Sequence, residues 1–401
     1  MKNKKFKKIA IIISIVFLLL TFIIFPFIGK KLLTKEKYTP LLSINVSHDL
    51  KAEILFNNTM GKTPFTERLL SEIAQATNSI DIAMYSIDSS EIKDALFKAS
   101  NHGVKVRFLS DSKKREAHTE LFEGHSENFF FKDVPTNIDT SIIQPYMHNK
   151  FAIIDAGLSN EKLLTGAWNW TVAQELIDPT YLLITQEKEI IDSYKAEFDR
   201  LFSGEHSKFK FKNKDYKPFS KKITFTDSEL EIWFSPGIET NSIQSRMYDL
   251  VDSAQKTINI MVWQMTDIKL ANKLIQAEKR GVYINLITDD FNISLGDATF
   301  DYIKRQIKEQ HLVNFNLFTD AARKVNIDGM ENLNSYLHHH MMLVDNKTVM
   351  FGTNNWGGRG AFDNDENIMI TNNKAIVESF ANTFDMQNEE LKAGYIGIAT
   401  F

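Results

Sequence analysis

The chain has 401 residues, of which 43% are hydrophobic and 24% are charged. These proportions are typical of globular proteins and exclude intrinsic disorder as the main state. The length leaves room for two or three domains. The chain contains no cysteine, which excludes disulfide frameworks, thiolate metal sites and cysteine nucleophiles.

The first 37 residues differ in charge from the rest of the chain. They contain nine lysines and one glutamate, whereas residues 38–401 carry 38 basic and 50 acidic side chains, a net charge of −12. Five lysines precede Ile9–Ile28, a stretch of 20 residues without a charge. A helix of that length spans the hydrocarbon core of a bilayer, about 30 Å. The sequence therefore predicts a transmembrane anchor within residues 1–37, with a cleaved signal peptide as the alternative.

The lysines that flank this stretch predict its orientation. Five lie before it and four lie between it and residue 38. The positive-inside tendency then places the N-terminus in the cytoplasm and the rest of the chain outside it, attached to the cell membrane by a single pass.

The rest of the chain contains an internal repeat. Four pairs of segments share their pattern and their order: 78–85 with 256–263, 103–111 with 281–289, 148–155 with 338–345, and 166–170 with 352–356. The offsets between partners are 178, 178, 190 and 186 positions. Such self-similarity predicts two copies of one fold. We place the copies at 38–205 and 229–401, with a lysine-rich connector at 206–228.

Each copy alternates helices and strands. In the first copy, Thr63 followed by Pro64 predicts the start of a helix. Strands are predicted at 80–85 and 104–109, with a helix at 91–100 between them. Strand, helix and strand in this order indicate a parallel or mixed sheet with helices on its faces. The predicted fold class is α/β.

Two further segments have more than one interpretation. Residues 208–222, KFKFKNKDYKPFSKK, contain seven lysines. We interpret them as a solvated connector, and a patch that binds nucleic acid or anionic lipid is the alternative. The run Phe129–Phe131 is interpreted as a buried strand rather than a membrane-inserting loop, because its counterpart at 313–318 also has the pattern of a strand.

The first copy contains His148, Lys150 and Asp155, followed by Asn169. The apolar residues 151–154 predict a strand, so His148 and Lys150 should lie on the same face. A neutral imidazole can attack phosphorus, while an ammonium and an amide can hold phosphate oxygens. A carboxylate such as Asp155 can fix the imidazole tautomer. These residue types indicate phosphodiester chemistry that needs no metal.

The second copy has His338, His340, Asp345 and Asn355 at the corresponding positions. A second histidine motif at the matching place in a repeat makes coincidence implausible. Three consecutive histidines also suggest zinc. However, adjacent residues on a strand face opposite sides, and no third ligand is evident at a usable spacing. We therefore expect neither a metal nor another cofactor.

These motifs resemble those of the phospholipase D superfamily, with two HKD-type repeats over residues 52–390. The resemblance implies two α/β halves packed about a pseudo-two-fold axis, with one composite site between them. It also implies a phosphohistidine intermediate. The implied roles are His148 as nucleophile, His338 as general acid, Lys150, Asn169 and Asn355 as phosphate ligands, and Asp155 and Asp345 as supports for their histidines.

The chain departs from the family pattern in both copies. His340 replaces the lysine of the second motif, and Ala167 stands where serine or threonine is usual. Glu366 fits the acidic position eleven residues after the motif asparagine, but Thr180 stands there in the first copy. We assign Glu366 a supporting role. A protonated His340 would replace the missing positive charge, so we expect it to bind phosphate and to favour mildly acidic pH.

The superfamily that the chain resembles includes phospholipases, phosphatidyltransferases and nucleases. The predicted anchor and the charge of this chain must therefore distinguish between these classes. Anchoring raises the effective concentration of lipid headgroups, and a body of net charge −12 lacks bulk attraction for nucleic acid. The sequence therefore predicts a membrane-anchored phospholipase D-type phosphoric diester hydrolase. It would cleave glycerophospholipids to phosphatidate and a head-group alcohol, as a monomer because one chain holds both half-sites. The alternatives are a membrane-tethered nuclease acting on DNA or RNA, a cardiolipin-synthase-like phosphatidyltransferase, and a non-catalytic phosphate-binding scaffold.

Overall fold

The computed structural model describes residues 42–57, 64–114, 121, 126–134, 145–294, 298–320, 324–327 and 330–392. The stretch Ile9–Ile28 and Thr63, which was predicted to begin a helix, lie outside these residues, so the predicted membrane anchor stays a prediction. Within the described ranges, no helix combines the length and the apolar character needed to cross a bilayer.

The first half of the chain builds a mixed sheet of seven strands. Strand β1 (Leu42–Asn45) precedes it and belongs to the second sheet. The seven strands are β2 (Ala52–Phe56), β3 (Ser79–Met84), β4 (Lys105–Asp111), β5 (Phe129–Val134), β6 (Lys150–Ile154), β7 (Lys162–Gly166) and β8 (Tyr181–Thr185). They lie in the order β2-β8-β7-β6-β3-β4-β5. The helices of this half are α1 (Pro64–Gln75), α2 (Ser90–Asn101), α3 (Val172–Leu176) and α4 (Lys188–Ser203).

The second half builds a larger sheet of nine strands in the order β1-β9-β10-β18-β17-β16-β11-β12-β13. Its own strands are β9 (Ser220–Thr224), β10 (Glu229–Phe234), β11 (Thr257–Val262), β12 (Tyr283–Asp289), β13 (Phe315–Asp320), β16 (His340–Val344), β17 (Thr348–Gly352) and β18 (Asn367–Thr371). Strands β14 (Lys324–Ile327) and β15 (Met330–Asn334) pair separately. The helices are α5 (Ile243–Ser253), α6 (Ile268–Lys279), α7 (Asp290–Ser294), α8 (Ala298–Gln310), α9 (Gly358–Phe362) and α10 (Lys374–Lys392).

The two sheets repeat the same topology. From β10 to β13, the second sheet has the strand order of the first sheet from β2 to β5. The directions also match, because β3-β4-β5 and β11-β12-β13 are parallel while the other corresponding neighbours are antiparallel. The predicted mixed α/β fold is confirmed, and strands β3 and β4 and helix α2 lie within two residues of their predicted bounds.

The halves share one hydrophobic core. Helices α1 and α2 cover the outer face of the first sheet, and α5, α6 and α8 cover the outer face of the second. Between the sheets, residues of α4 and α10 pack with strand residues from both halves. The buried hydroxyl of Tyr181 donates to the Gly352 carbonyl at 3.0 Å, and that of Tyr194 donates to Asn367 Oδ1 at 2.9 Å. Burial of this shared surface holds the halves together.

The sequence suggested that the lysine-rich connector is a solvated linker, but part of it packs into the fold. Residues Ser207–Lys212 form a 3₁₀ helix, and Lys210 within it is fully buried. Its ammonium contacts Glu197 and lies 2.8 Å from Asp365 Oδ1. Because a buried ammonium needs paired charges, these two carboxylates explain how the segment packs. The connector ties the end of the first half to the region next to Glu366.

The phenylalanine run lies in a strand as predicted, but the strand is only partly buried. Residues Phe129–Phe131 belong to β5, which is at the edge of the first sheet. Phe131 stacks on Phe108 with ring centroids 5.8 Å apart. Phe130 faces the other way and is 43% exposed. Alternation along an edge strand explains this difference.

Replacing Gly352 by alanine is expected to destabilise the fold by about 3 kcal/mol, because overpacking a rigid site is costly. A Cβ at this position would lie 2.1 Å from the Asn367 carbonyl oxygen and 2.6 Å from Ile368 Cα. These are backbone atoms of the adjacent strand β18, which cannot yield without breaking its pairing. The matched control is Gly358→Ala, where a Cβ meets nothing within 4 Å. Urea unfolding of both variants measures the difference, and equal midpoints would contradict the prediction.

Candidate active site

The loop that precedes strand β6 is held by the opposite half of the chain. The Tyr146 amide donates to Asn364 Oδ1 at 2.9 Å, and the His148 amide donates to the Asp365 carbonyl at 2.9 Å. Within its own half, the Met147 amide donates to a carboxylate oxygen of Asp111 at 2.7 Å. These bonds fix the backbone on which His148 stands.

The loop that precedes strand β16 has the reciprocal contacts. The Tyr336 amide donates to Asp178 Oδ1 at 2.8 Å, and the His338 amide donates to the Pro179 carbonyl at 3.0 Å. The Leu337 amide donates to Asp289 Oδ2 at 2.8 Å. Each half therefore positions the histidine loop of the other, as a two-fold relationship requires.

His148 is oriented by a buried carboxylate. Its Nδ1 lies 2.8 Å from Glu366 Oε2 and donates to it, since an ionised carboxylate only accepts. Thr353 Oγ1 donates to the same oxygen at 2.8 Å, and Asn364 Nδ2 donates to Glu366 Oε1 at 3.0 Å. Glu366 is fully buried, so these bonds act in a medium of low polarity. The arrangement fixes the tautomer that leaves Nε2 of His148 free of a proton.

Lys150 lies beside that nitrogen, as the alternation of the strand predicted. Its Nζ is 3.1 Å from His148 Nε2 and donates to the His148 carbonyl at 2.9 Å. Burial lowers the pKa of Lys150 to about 7, although the negative charge of Glu366 opposes the shift. An anion bound in this place would favour the charged ammonium.

The second motif contributes two imidazoles to the same site. The rings of His338 and His340 are 5.1 Å apart, whereas His339 turns to the other side and stacks on Tyr181 at 5.9 Å. Burial, followed by the positive charge of Lys150 and by His148, lowers the pKa of His338 well below its usual value. Because each half holds the histidine loop of the other, these groups of the two motifs can act on each other across the halves.

The site is asymmetric at the position of Glu366. Its counterpart in the first half is Thr180, whose hydroxyl is buried without a hydrogen-bond partner among the described residues. The Nδ1 atom of His338 is likewise buried and unpartnered within that part of the chain. Ala167 occupies the position that corresponds to Thr353, whose hydroxyl donates a hydrogen bond to Glu366 in the other half. One histidine is therefore supported by a carboxylate, and the other is not.

The roles expected for Asp155 and Asp345 are wrong. Asp155 accepts hydrogen bonds from the Asn78 amide at 2.7 Å and from the Thr77 amide at 2.9 Å. It follows the C-terminal end of β6, whereas His148 precedes the N-terminal end. Asp345 accepts from the Lys256 amide at 2.7 Å in the same way. Although burial opposes it, these backbone bonds lower the pKa of both carboxyl groups. Both residues join a strand end to a turn, and no hydrogen bond links either of them to a histidine among the described residues.

Several polar atoms of the site have no partner among the described residues: Asn169 Oδ1, Asn355 Oδ1 and both ring nitrogens of His340. Buried polar groups are normally hydrogen-bonded, so such atoms are suited to a polar ligand. Burial, followed by the electrostatic influence of His338 and Lys150, lowers the pKa of His340 well below its usual value. This direction of the pKa shift opposes the protonation of His340 that was expected to replace the missing charge.

Sequence reasoning missed the groups that orient the site. Tyr85 packs against His148 with ring centroids 4.8 Å apart. Asn364 and Thr353 hold Glu366, and Asp111 and Asp289 hold the two histidine loops. The sequence did contain a signal for Asp111 and Asp289, because each of them ends one copy of the segment that repeats with an offset of 178 positions.

Replacing Asp178 by asparagine is expected to raise stability above neutral pH. Burial raises the pKa of Asp178 to about 7, and the negative charges of Asp289 and Asp320 act in the same direction. The folded state then binds a proton that the unfolded chain releases near pH 4, so stability is present at low pH and falls as pH rises through about 7. An asparagine has no such proton to lose. Its Oδ1 can still accept from the Tyr336 amide, just as Asn364 Oδ1 accepts from the Tyr146 amide at the symmetric position.

The Asp178→Asn variant should therefore exceed the wild type by on the order of 2 kcal/mol at pH 8 and by much less at pH 4. Urea unfolding at the two pH values measures this. The exposed Asp249→Asn variant is the control for a simple change in net charge. A stability difference that does not depend on pH would contradict the prediction.

Two α/β sheets of matching topology, each with a histidine motif, define a duplicated α/β protein. The family model described as "Cardiolipin synthase, PLD-like domain" matches residues 69–202 and 247–387. The chain belongs to this family and hence to the phospholipase D superfamily, as its motifs predicted.

Curated relatives match about one third of the chain. The "Mitochondrial cardiolipin hydrolase" of Chlamydomonas reinhardtii is 30% identical over 135 residues, which are 34% of this chain and 56% of that protein. The "Phospholipase D" of Rickettsia conorii is 28% identical over 145 residues, 36% of this chain and 66% of that protein. The chain thus spans little more than half the length of the first of these relatives.

Solved structures resemble the whole fold. The phosphatidylserine synthase of Haemophilus influenzae has a TM-score of 0.64 at 14% identity, with 85% of this chain and 86% of that chain covered. The polyphosphate kinase of Porphyromonas gingivalis has a TM-score of 0.54 at 12% identity, with 84% and 50% covered. At such low identity these similarities concern the fold alone.

Proposed function

We propose that the chain is a membrane-anchored phospholipase D-type hydrolase that converts glycerophospholipids to phosphatidate and a head-group alcohol. The observation that carries the proposal is the arrangement of Glu366, His148 and Lys150. His148 Nδ1 lies 2.8 Å from a carboxylate oxygen of Glu366, and His148 Nε2 lies 3.1 Å from the ammonium of Lys150. An imidazole held in this tautomer is a nucleophile, and the adjacent ammonium can bind the phosphate that it attacks.

In the proposed first step, His148 Nε2 attacks phosphorus and the bond from phosphorus to the head-group oxygen breaks. Protonated His338 gives its proton to that oxygen, so a neutral alcohol leaves and a phosphatidyl-histidine remains. Burial, Lys150 and His148 hold the pKa of His338 low in the free protein. The negative charge of a bound phosphodiester acts in the opposite direction and favours the acid form.

In the proposed second step, His338 takes a proton from water as the water oxygen attacks phosphorus. The bond from phosphorus to His148 then breaks, and phosphatidate leaves. Lys150, Asn169, Asn355 and His340 can donate hydrogen bonds to the phosphate oxygens. These donors would stabilise the charge that develops in both transition states.

Three considerations favour lipid as the substrate. Residues 38–401 have a net charge of −12, which disfavours nucleic acid. The proposed anchor at Ile9–Ile28 would keep the site near headgroups. The Chlamydomonas and Rickettsia relatives carry the names of cardiolipin hydrolase and phospholipase D. We place the catalytic body on the extracytoplasmic side of the cell membrane and propose that one chain suffices for activity.

The test uses the full-length chain purified in detergent. It is incubated with vesicles of phosphatidylcholine, phosphatidylethanolamine and phosphatidylglycerol, and separately with single-stranded and duplex DNA. We expect release of choline, ethanolamine or glycerol by the wild type and none by His148→Asn. Shortened oligonucleotides without lipid turnover would identify a nuclease instead. Exchange of the headgroup for an added lipid alcohol would identify a transferase, and binding without turnover would identify a scaffold.

A further inference from the structure

The connector contributes a buried cation next to the segment that carries Glu366. Lys210 is fully buried, and its ammonium contacts Glu197 and lies 2.8 Å from Asp365 Oδ1. The ammonium also donates to the Ser235 carbonyl at 3.0 Å. Burial opposes its charge, but the negative charges of Asp365 and Glu197 raise its pKa above the usual value for lysine. Lys210 therefore carries a positive charge in the folded protein.

Asp365 joins this cation to the loop that carries His148. Its carboxylate accepts from the Ser207 amide at 2.7 Å and from the Ser207 hydroxyl at 3.0 Å, in addition to its contact with Lys210. Its main chain binds the loop: the carbonyl accepts from the His148 amide at 2.9 Å, and the amide donates to the Tyr146 carbonyl at 2.8 Å. A displacement of Asp365 would therefore displace the backbone of His148.

Ser235 fixes the backbone of Glu366. Its amide donates to the Glu366 carbonyl at 3.0 Å, and its hydroxyl accepts from the Glu366 amide at 2.8 Å. The same hydroxyl donates to the Asn364 carbonyl at 2.8 Å. Because the Ser235 carbonyl accepts from Lys210, a single ammonium is bonded both to Ser235 and to Asp365, the residue that precedes Glu366.

In the first half of the chain, the corresponding segment is held differently. The repeat offsets place Pro179 at the position of Asp365 and Asn57 at the position of Ser235. Proline has no side chain that could bind an ammonium, and Asn57 Nδ2 donates directly to the Asp178 carbonyl at 3.2 Å. The fold therefore does not require buried ions at this place. They occur on the side of the histidine that a carboxylate supports.

Buried ions of this kind add little to stability. Removing them from water costs free energy that offsets most of their mutual attraction. What they add is geometry, because charge-assisted hydrogen bonds are shorter and stronger than neutral ones. Geometry matters at this place, since His148 Nε2 must be aimed at phosphorus, and a displacement of about 1 Å can slow an enzyme about 100-fold.

We propose that Lys210 is a positioning residue of the active site. It acts through Asp365 and Ser235. Together these residues hold Glu366 against His148. The proposal rests on the proposed function and deepens it. Because Lys210 is fully buried and takes no part in binding the phosphate, its loss should lower kcat and leave KM nearly unchanged.

The test removes the cation and one carboxylate together, because removing Lys210 alone would leave buried carboxylates unpaired. In the full-length variant Lys210→Met/Asp365→Asn, both side chains keep close to their original size, and Glu197 keeps its contact with Arg200 at 2.7 Å. We expect this variant to unfold at nearly the wild-type urea concentration. Its kcat should fall roughly 10- to 100-fold. The substrate is bis(4-nitrophenyl) phosphate, a diester that is neither a lipid nor a nucleotide.

The matched control is Asp81→Asn/Arg107→Met, which removes another largely buried ion pair, with 2.6 Å between Arg107 Nε and Asp81 Oδ1. This pair joins strands β3 and β4 near their N-terminal ends, whereas Asp111, which holds the His148 loop, ends β4. The control should keep the wild-type kcat even where its stability falls. Equal loss of kcat in the control and in the Lys210 variant would overturn the proposal.

A double-mutant cycle distinguishes positioning from a purely structural role. The two substitutions are also introduced in the Glu366→Gln background. Because they act through Glu366, they should lower kcat much less there than in the wild type. The same fold-loss in both backgrounds would show that Lys210 and Glu366 act independently, which would overturn the proposal. If the double variant does not fold, Asp365→Asn alone, in which Lys210 keeps Glu197, is carried through the same cycle.

Proton NMR of the histidine rings separates this proposal from the proposed function. The proton that His148 Nδ1 donates to Glu366 should give a downfield, slowly exchanging signal, which is assigned by its absence in His148→Asn. We expect this signal in the wild type and in the control, and its loss in Lys210→Met/Asp365→Asn. If no diester is cleaved but the signal behaves in this way, the positioning stands and the proposed reaction fails. An absent signal in the wild type, or an unchanged signal in the variant, would overturn the positioning whatever the activity.

Discussion

Replacing His148 by asparagine is expected to lower kcat/KM on phospholipid by at least about 10⁴-fold, which is the usual cost of losing an enzyme nucleophile. The asparagine amide can still donate one hydrogen bond to Glu366, so the buried carboxylate keeps a partner. It cannot form a covalent bond to phosphorus under these conditions. The loss should therefore appear in turnover while the unfolding midpoint changes little.

The control for this variant is His311→Asn. His311 is an exposed histidine with φ of 53°, a conformation that asparagine adopts readily. It should retain wild-type kcat/KM. Equal loss in both variants would indicate a general effect on folding and would contradict the role of His148.

The companion variant His338→Asn distinguishes the two histidines. If His148 is the nucleophile, this chain keeps the attacking group but lacks the group that activates water. With a substrate whose leaving group needs no proton, such as a nitrophenyl phosphodiester, the phosphoryl-histidine should accumulate and be visible as a mass increase on the peptide that contains residue 148. An adduct on the peptide of residue 338 in the His148→Asn chain would reverse the assignment.

The internal repeat made most of the fold predictable from the sequence. Because the periodicity of strands and helices is local, the bounds of β3, α2 and β4 followed from neighbouring residues. The position of β1 did not follow from neighbouring residues, because β1 pairs in parallel with β9 about 180 residues away. Pairings of that separation leave no local pattern in a single sequence.

The sequence named the candidate site residues but not the contacts between them. The repeated motif named His148 and His338, because histidine is rare in this chain. Lys150 followed from the spacing of the first motif, and Glu366 followed from the family resemblance. The expected support of each histidine by the aspartate of its own motif was wrong, because that aspartate follows the opposite end of the strand. The real support of His148 comes from the other half of the chain. Only the packing of the two halves could reveal it.

Replacing Glu366 by glutamine is expected to lower kcat by about 10³- to 10⁴-fold, as when the carboxylate that orients a catalytic histidine becomes an amide. A glutamine can donate as well as accept, so it no longer enforces the tautomer in which His148 Nε2 is free to attack. Thr353 and Asn364 also lose the charge that they now stabilise. Activity and the pH dependence of kcat would be measured beside the unfolding midpoint, and loss of folding without loss of specific activity would contradict the prediction.

The first half of the site offers the reciprocal experiment. The double variant Ala167→Thr/Thr180→Glu rebuilds, beside His338, the pair that Thr353 and Glu366 form beside His148. The equivalent pair already packs in the second half, and the buried Thr180 hydroxyl and His338 Nδ1 have no partner among the described residues. A carboxylate there would raise the pKa of His338, because it favours the charged imidazole. The alkaline limb of the kcat profile should then move to higher pH, whereas an unmoved limb would show that His338 does not act as the general acid.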